Sequence, residues 1–285
     1  MMVAPHLTRL IAAALAVAVA GGAVVALSVT VAPPAAAVTA AQWNAGNIIS
    51  DSVFYDYGSM NPDQIQAFLA DQGSLCQAAN GLPCLKDYTT ATPTRSAENG
   101  LCAGYTAAGN ESAATIIANV ARSCQISPRS LLVLLQKESS IVTRWTLSAI
   151  AYQSATGYGC PDTAACDSTY YGLFNQVYMA ARQFKIYAMN PTQYGYQAGR
   201  VNTILYNPDR NCGSSQVYIA NQATAGLYTY TPYQPNSAAL NNLYGTATGA
   251  PRTAIATSGD SSVTGSATPK TAATSCAQSP TPRCT

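Results

Sequence analysis

The sequence nearly lacks histidine. Its only one, His6, precedes a long apolar run near the N-terminus. The rest of the chain therefore excludes Ser-His-Asp and Cys-His nucleophilic catalysis. It also excludes histidine-ligated zinc hydrolysis. Charge is scarce: charged residues make up 9% of the chain and the net charge is +2. Nothing in that balance resembles the basic stripe of a nucleic-acid binder, so no nucleic-acid partner is expected. No paired CxxC array occurs, which argues against a zinc ribbon. No ligand cluster suggests a metal, and no cofactor is expected. Glutamate occurs three times, at Glu98, Glu111 and Glu138. An enzyme made from such a chain would work with carboxylates, tyrosines or amides.

The 285 residues suffice for one substantial domain or two small ones. His6 and Arg9 precede an apolar run from Leu10 to Val31, closed by Pro33, Pro34 and a string of alanines. Residues 1–40 read as a secretory signal with a small-residue cleavage site near Ala37 or Ala40. The run is also long enough to stay as an anchor. Membrane contact is expected only through such an uncleaved signal. The nine cysteines fit export to an oxidising compartment, secreted or held at a cell wall. Spacing suggests three local pairs: Cys76 with Cys84, Cys102 with Cys124, Cys160 with Cys166. It leaves the connectivity of Cys212, Cys276 and Cys284 open.

The stretch from Ser127 to Thr143 organises the rest. Ser127 and Pro128 read as a helix N-cap and first helical residue. Leu131, Leu132, Val133, Leu134 and Leu135 follow without a break, as in a core helix. Glu138 ends this helix. Leu135, Leu134 and Leu131 lie three, four and seven residues before it, so its own stripe is apolar. A carboxyl desolvated there would titrate high and serve as a general acid. The alternative is an exposed helix end beside Lys137. Glu98 and Glu111 lie in polar, turn-rich stretches.

Residues 41–110 read as an N-terminal helix and a cysteine-rich loop region. Asn44 to Met60 suggests an irregular lead-in with a short strand. Asn61-Pro62-Asp63 starts a helix carrying Ile65, Phe68 and Leu69, with Gly73 as its stop. A second domain is expected over 111–246. Its first helix starts at Asn110-Glu111-Ser112 and carries Ile116, Ile117 and Val120. Trp145 to Tyr171 reads as irregular, and Val177, Ala181, Phe184 and Tyr187 mark a helix ended by Asn190-Pro191. VNTILY reads as a strand, Val217 to Leu227 as a helix, Tyr228 to Pro235 as an aromatic turn, and Asn236 to Tyr244 as a short helix. Beyond residue 246 large apolar residues nearly vanish, so 247–285 reads as a disordered tail.

Fourteen of the eighteen tyrosines fall between Tyr152 and Tyr244, among many amides. Tyrosine offers a flat face to a sugar ring and a hydroxyl to its oxygens, so this is how a carbohydrate groove would be lined. Equally, with only four phenylalanines, many of these tyrosines would pack the core.

A helix ending in Lys137-Glu138-Ser139, an irregular loop, then Gly172-Leu173-Phe174-Asn175-Gln176 resembles the lysozyme-like superfamily. The stretch from Cys124 to Met189 is most similar to soluble lytic transglycosylases and bacterial endo-N-acetylglucosaminidases. The resemblance implies a mostly α, lysozyme-like helical domain with irregular disulfide-stapled loops and little β. It implies that Glu138 protonates the glycosidic oxygen and then acts as base while a sugar 6-hydroxyl attacks. It also implies a sugar-binding set: Tyr158, Tyr170, Tyr171, Gly172, Phe174, Asn175, Gln176 and Tyr178. Asn175 is an insertion relative to the transglycosylase pattern, leaving open which amide meets the substrate. A hydrolase would need a second carboxylate. Asp162 and Asp167 are the nearest candidates, with loop capping as their other reading. The segment from Asn47 to Tyr244 also resembles secreted actinobacterial proteins called haemagglutinin-related or lysozyme-like, of unsettled function. In those relatives a cysteine and a Gly-Asn-Arg-Asn-Phe-Trp-like stretch follow Leu-Tyr-Gly. Codons for residues 250–259, read one nucleotide earlier, can spell such a stretch, which implies a frameshifted tail.

These readings lead to a monomeric, secreted, peptidoglycan-cleaving glycosidase or lytic transglycosylase. Its rivals are a glycan-binding adhesin without catalysis and a structural envelope protein.

Overall fold

The computed structural model describes residues 39–161 and 164–243. Residues 1–38 of the expected signal, Asp162, Tyr244, Cys276, Cys284 and the tail expected to be frameshifted lie outside them.

Helix α1 (Asp51–Phe54) is capped by Ser50, whose hydroxyl accepts from Val53 N. It replaces the short strand expected before Met60. Helix α2 (Pro62–Gln72) starts as its sequence requires. Asn61 and Gln64 form a reciprocal capping box, and Pro62 occupies the first turn, where its missing N–H costs nothing. Gly73 ends it: a Cβ there would lie 2.7 Å from Leu69 O. Strands β1 (Thr89–Thr92) and β2 (Ala108–Ser112) pair antiparallel. The expected helix start at Asn110 is therefore displaced, because residues 110–112 belong to β2. Ser112 then caps helix α3 (Ala113–Cys124), accepting from Thr115 N.

Helix α4 (Pro128–Ser139) buries Leu131, Leu132, Leu134 and Leu135. Each such side chain contributes about 1.5–3 kcal/mol by leaving water. Ser127 caps it by position only. Its hydroxyl pairs with Ser59 Oγ at 3.0 Å instead of the helix backbone. Helix α5 (Ala149–Gln153) interrupts the stretch read as irregular. Helix α6 (Leu173–Met189) starts four residues earlier than Val177, so Leu173-Phe174-Asn175-Gln176 is its first turn. Gly172 precedes it at φ +98°, a conformation that favours glycine. Strand β3 (Arg200–Leu205) falls on the expected run. The helix expected from Val217 is overturned: Ser214–Ile219 is strand β4, paired with β3. Val217 and Ile219 turn inward while Tyr218 turns out, a period of two that a helix cannot satisfy. Helix α7 (Gln222–Tyr230), capped by Asn221, takes in Tyr228 and Tyr230 of the supposed aromatic turn. Helix α8 (Ser237–Leu240) is short.

Among the described residues the fold is thus mixed: eight helices and two separate two-stranded antiparallel sheets. Helix is the larger share, but the expectation of little β understates the two hairpins. Helices α3, α4, α6 and α7 bring Ile117, Val120, Leu135, Val177, Phe184 and Leu227 into one buried cluster. Phe54, Ile65 and Leu69 join it, so 41–110 and 111–246 share a core. The segment before α1 is stitched to α7. Ile48 N donates to Thr224 Oγ1 (3.1 Å), Ala223 N to Asp51 Oδ1 (2.7 Å) and Tyr228 OH to Ala45 O (2.9 Å). The three local disulfides form as spaced, and Cys212 is disulfide-bonded too. Among the described residues no helix is long and apolar enough to cross a membrane.

Candidate active site

Helix α4 stops at Ser139 because Ser140 turns left-handed, at φ +53°. Glu138 therefore stands on the last turn. Its carboxylate does not rest on the leucine stripe, as its spacing suggested. Glu138 Oε1 accepts from Lys137 Nζ at 2.5 Å and from Thr231 Oγ1 at 3.5 Å. Lys137 Nζ also donates to Thr231 Oγ1 at 3.0 Å. The residue is exposed at the helix end, yet its side chain keeps only 23% of its surface open. The other oxygen, Oε2, faces Gly157. A Cβ built there would lie 3.5 Å from it, in ordinary contact. Gly157 is needed for its φ of +72°.

The loop carrying Gly157 is held from three helices. Ser139 Oγ of α4 donates to Ala155 O at 2.9 Å. Tyr230 OH of α7 donates to Thr156 O at 2.8 Å. Gln176 of α6 supplies the rest. Its Oε1 accepts from Thr156 N (3.1 Å) and Tyr158 N (3.2 Å), while its Nε2 donates to Tyr158 O (2.9 Å) and Tyr170 O (2.8 Å). Gln176 is 0% exposed, so its amide has no capacity left for a sugar. The expected substrate amide is instead the clamp that shapes the loop over Glu138. Burial pushes the Tyr230 phenol well above the ordinary tyrosine range, so it stays a donor at neutral pH.

The other expected sugar-binding residues divide by burial. Tyr158 and Tyr170 are half-buried and meet edge to face, with the Tyr170 ring laid against Gly159. Tyr171 and Gly172 are half-buried beside them. Asn175 Nδ2 donates to Tyr171 O, and its Oδ1 accepts from Arg95 Nη2 at 2.6 Å. Phe174 and Tyr178 are core residues, stacked on each other with the Arg95 guanidinium over both rings. Neither offers a face to a ligand. The Tyr178 hydroxyl has no hydrogen-bond partner among the described residues. Burial first, and then the Glu98 charge, raise its pKa.

Asp167 is exposed and caps the 3-10 turn at Ser168–Tyr170 by accepting from Thr169 N at 2.9 Å. That bond holds its carboxyl below the usual range. Its place is therefore loop capping, and Asp162 lies outside the described residues. Reading Glu111 as part of a polar turn is corrected. It is 9% exposed, and its carboxylate accepts from Thr92 Oγ1, Tyr105 OH (2.8 Å) and Asn119 Nδ2 (3.1 Å). Residues 108–112 carry no apolar alternation, so the sequence held no signal for this inward turn, which rests on partners from β1, Tyr105 and α3. Glu98 forms a two-pronged pair with Arg182 of α6. Among the described residues no group of three or more His, Cys, Asp or Glu is set to hold a metal.

No protein-family model, curated protein or solved structure matches this chain.

Proposed function

We infer that this chain is a secreted lytic transglycosylase of the lysozyme-like type, acting on peptidoglycan, with Glu138 as its only acid and base. One observation carries the reading. A single carboxylate closes a core helix and directs Oε2 at a loop braced by Ser139, Gln176 and Tyr230. In this reading Oε2 donates a proton to the glycosidic oxygen as the bond to the anomeric carbon breaks. The same oxygen then takes the proton of the sugar 6-hydroxyl, which closes a 1,6-anhydro ring. No water is consumed, and one carboxyl suffices. The commitment of Asp167 to its turn supports this course over a two-carboxylate hydrolysis. The three local disulfides fit an exported protein. Half-buried Tyr158 and Tyr170, in edge-to-face contact beside the braced loop, are the aromatic residues this reading assigns to the sugar.

The test is mass spectrometry of fragments released from purified peptidoglycan by the oxidised chain. Fragments ending in 1,6-anhydro sugars, lost in Glu138→Gln, are expected. Hydrated reducing ends would overturn the transglycosylase reading. A second reading, a glycan-binding protein without turnover, is favoured by the ion pair that ties up Glu138 Oε1. Retention on peptidoglycan without release of fragments would establish it.

A further inference from the structure

The glutamate that the proposed chemistry does not use, Glu111, stands at the head of a chain of side chains that ends in solvent. Its Oε1 accepts from Asn119 Nδ2 at 3.1 Å, which fixes which way that amide faces. Asn119 Oδ1 is thereby turned outward and accepts from Arg122 Nη1 at 3.0 Å. Arg122 lies one turn further along α3 and is exposed. Among the described residues it has no acidic partner. Its guanidinium is thus held by one N–H, with the others open.

The Arg122 guanidinium stands at a cavity of about 340 Å³ between α3 and the chain following Cys102. Asn119, Arg122 and Ser123 line one wall, and Gly104, Tyr105 and Thr106 the other. The walls are fixed to each other. The Cys102–Cys124 disulfide ties the residue before Ala103 to the residue after Ser123, and Ser123 Oγ donates to Gly104 O at 2.6 Å. The volume is that of a small-molecule site. A guanidinium oriented before binding presents a planar fork to a carboxylate, and the ordering cost is already met within the fold.

We propose that this cavity binds a free carboxylate, with Arg122 as the binding residue and Asn119 and Glu111 as positioning residues. Two sources share that chemistry: the C-terminal carboxylate of a short peptide and the lactyl carboxylate of a muramyl sugar. The first occurs at the ends of stem peptides in the polymer inferred above and the second where a stem has been removed from its sugar, so the ligand class rests on that reading. The site itself does not depend on cleavage at Glu138. The buried Glu111 charge lies behind Asn119 and opposes an anion, so binding is millimolar rather than tight.

The experiment uses the full oxidised chain, labelled with 15N, and follows the Arg122 Nε–Hε resonance together with the backbone amides of Gly104, Thr106 and Ser123, which remain as reporters in every variant. The probes are N-acetyl-alanyl-alanine, its C-terminal amide and N-acetylmuramic acid. The acid dipeptide should shift the resonance at millimolar concentration, and the amide should bind at least tenfold more weakly. Arg122→Ala should lose at least tenfold in affinity for the acid, and Arg122→Lys should recover part of it. The muramic acid arm identifies the source: a stronger shift than the dipeptide assigns the sugar, a weaker one the peptide. Equal binding of acid and amide, unchanged binding by the Arg122→Ala variant, or no shift with any probe would overturn the site. Glu138→Gln should leave these titrations unchanged while removing turnover, so the two readings fail separately.

Discussion

Gln176 and Thr156 are locked together by buried hydrogen bonds. Thr156 N donates to Gln176 Oε1, and the single Thr156 hydroxyl proton lies between Gln176 Oε1 (3.1 Å) and Gln176 O (3.0 Å). The pair fixes the residue next to Gly157, and so the wall that Glu138 faces. Removing the amide strands several backbone groups without water. Gln176→Ala is expected to lose about 2–4 kcal/mol of stability, since each unsatisfied buried group costs about 1–3 kcal/mol. Urea unfolding checks this. Glu138→Gln, at an exposed helix end, should unfold at the parental urea concentration.

Gly157→Ala separates backbone strain from space. Its Cβ would find ordinary room 3.5 Å from Glu138 Oε2, but its φ of +72° belongs to the left-handed region. A cost of about 1–2 kcal/mol is expected from the backbone alone. Thermal melts measure it. Turnover should fall further than stability, because the shifted loop faces the reacting oxygen.

The three local disulfides close loops of different length, with separations of 22 residues for Cys102–Cys124, 8 for Cys76–Cys84 and 6 for Cys160–Cys166. Chain entropy then ranks them. Replacing both Cys102 and Cys124 by alanine should cost about 3 kcal/mol, and either shorter bridge about 2 kcal/mol. Equilibrium unfolding of the double variants tests the order.

Acid should loosen the pairing of Glu98 with Arg182. The guanidinium hydrogen bond holds the Glu98 carboxyl below its ordinary value of 4.5. A carboxyl depressed by folding stabilises the fold above its unfolded pKa, and that contribution vanishes as pH falls through the folded value. The loss therefore begins near pH 4.5 and deepens below it. The pair is part-exposed and screened, so the effect is modest. Glu98→Gln should flatten the acid limb in melts between pH 6 and 3, and Arg182→Met should do the same.

Local rules carried the reading where local physics decides. Asn61-Pro62-Asp63 opened α2, and the leucine run marked α4, because caps and apolar periodicity act within one turn. The three short-range disulfides were legible for the same reason. Residues governed by distant partners were not. Residues 214–219 became a strand because β3 lay free to pair with them. Gln176 looked like a ligand amide because nothing in its neighbourhood shows that Thr156 and Tyr158 will consume it. Glu138 was marked out by its place at the end of an apolar helix. Its neighbour Lys137 was in view from the sequence, whereas its contact with Thr231 depends on where α7 ends.

The stitching of residues 45–51 to α7 imposes an order on the making of this protein. During synthesis the first segment waits for 176 to 183 further residues before Thr224 and Tyr228 emerge to receive it. Thr231, which meets the Lys137–Glu138 pair, leaves the ribosome only after them. The bonds between residues 45–51 and α7 therefore close only after most of the domain has been synthesised. The glutamate meets its full surroundings only once both ends of the domain have been joined.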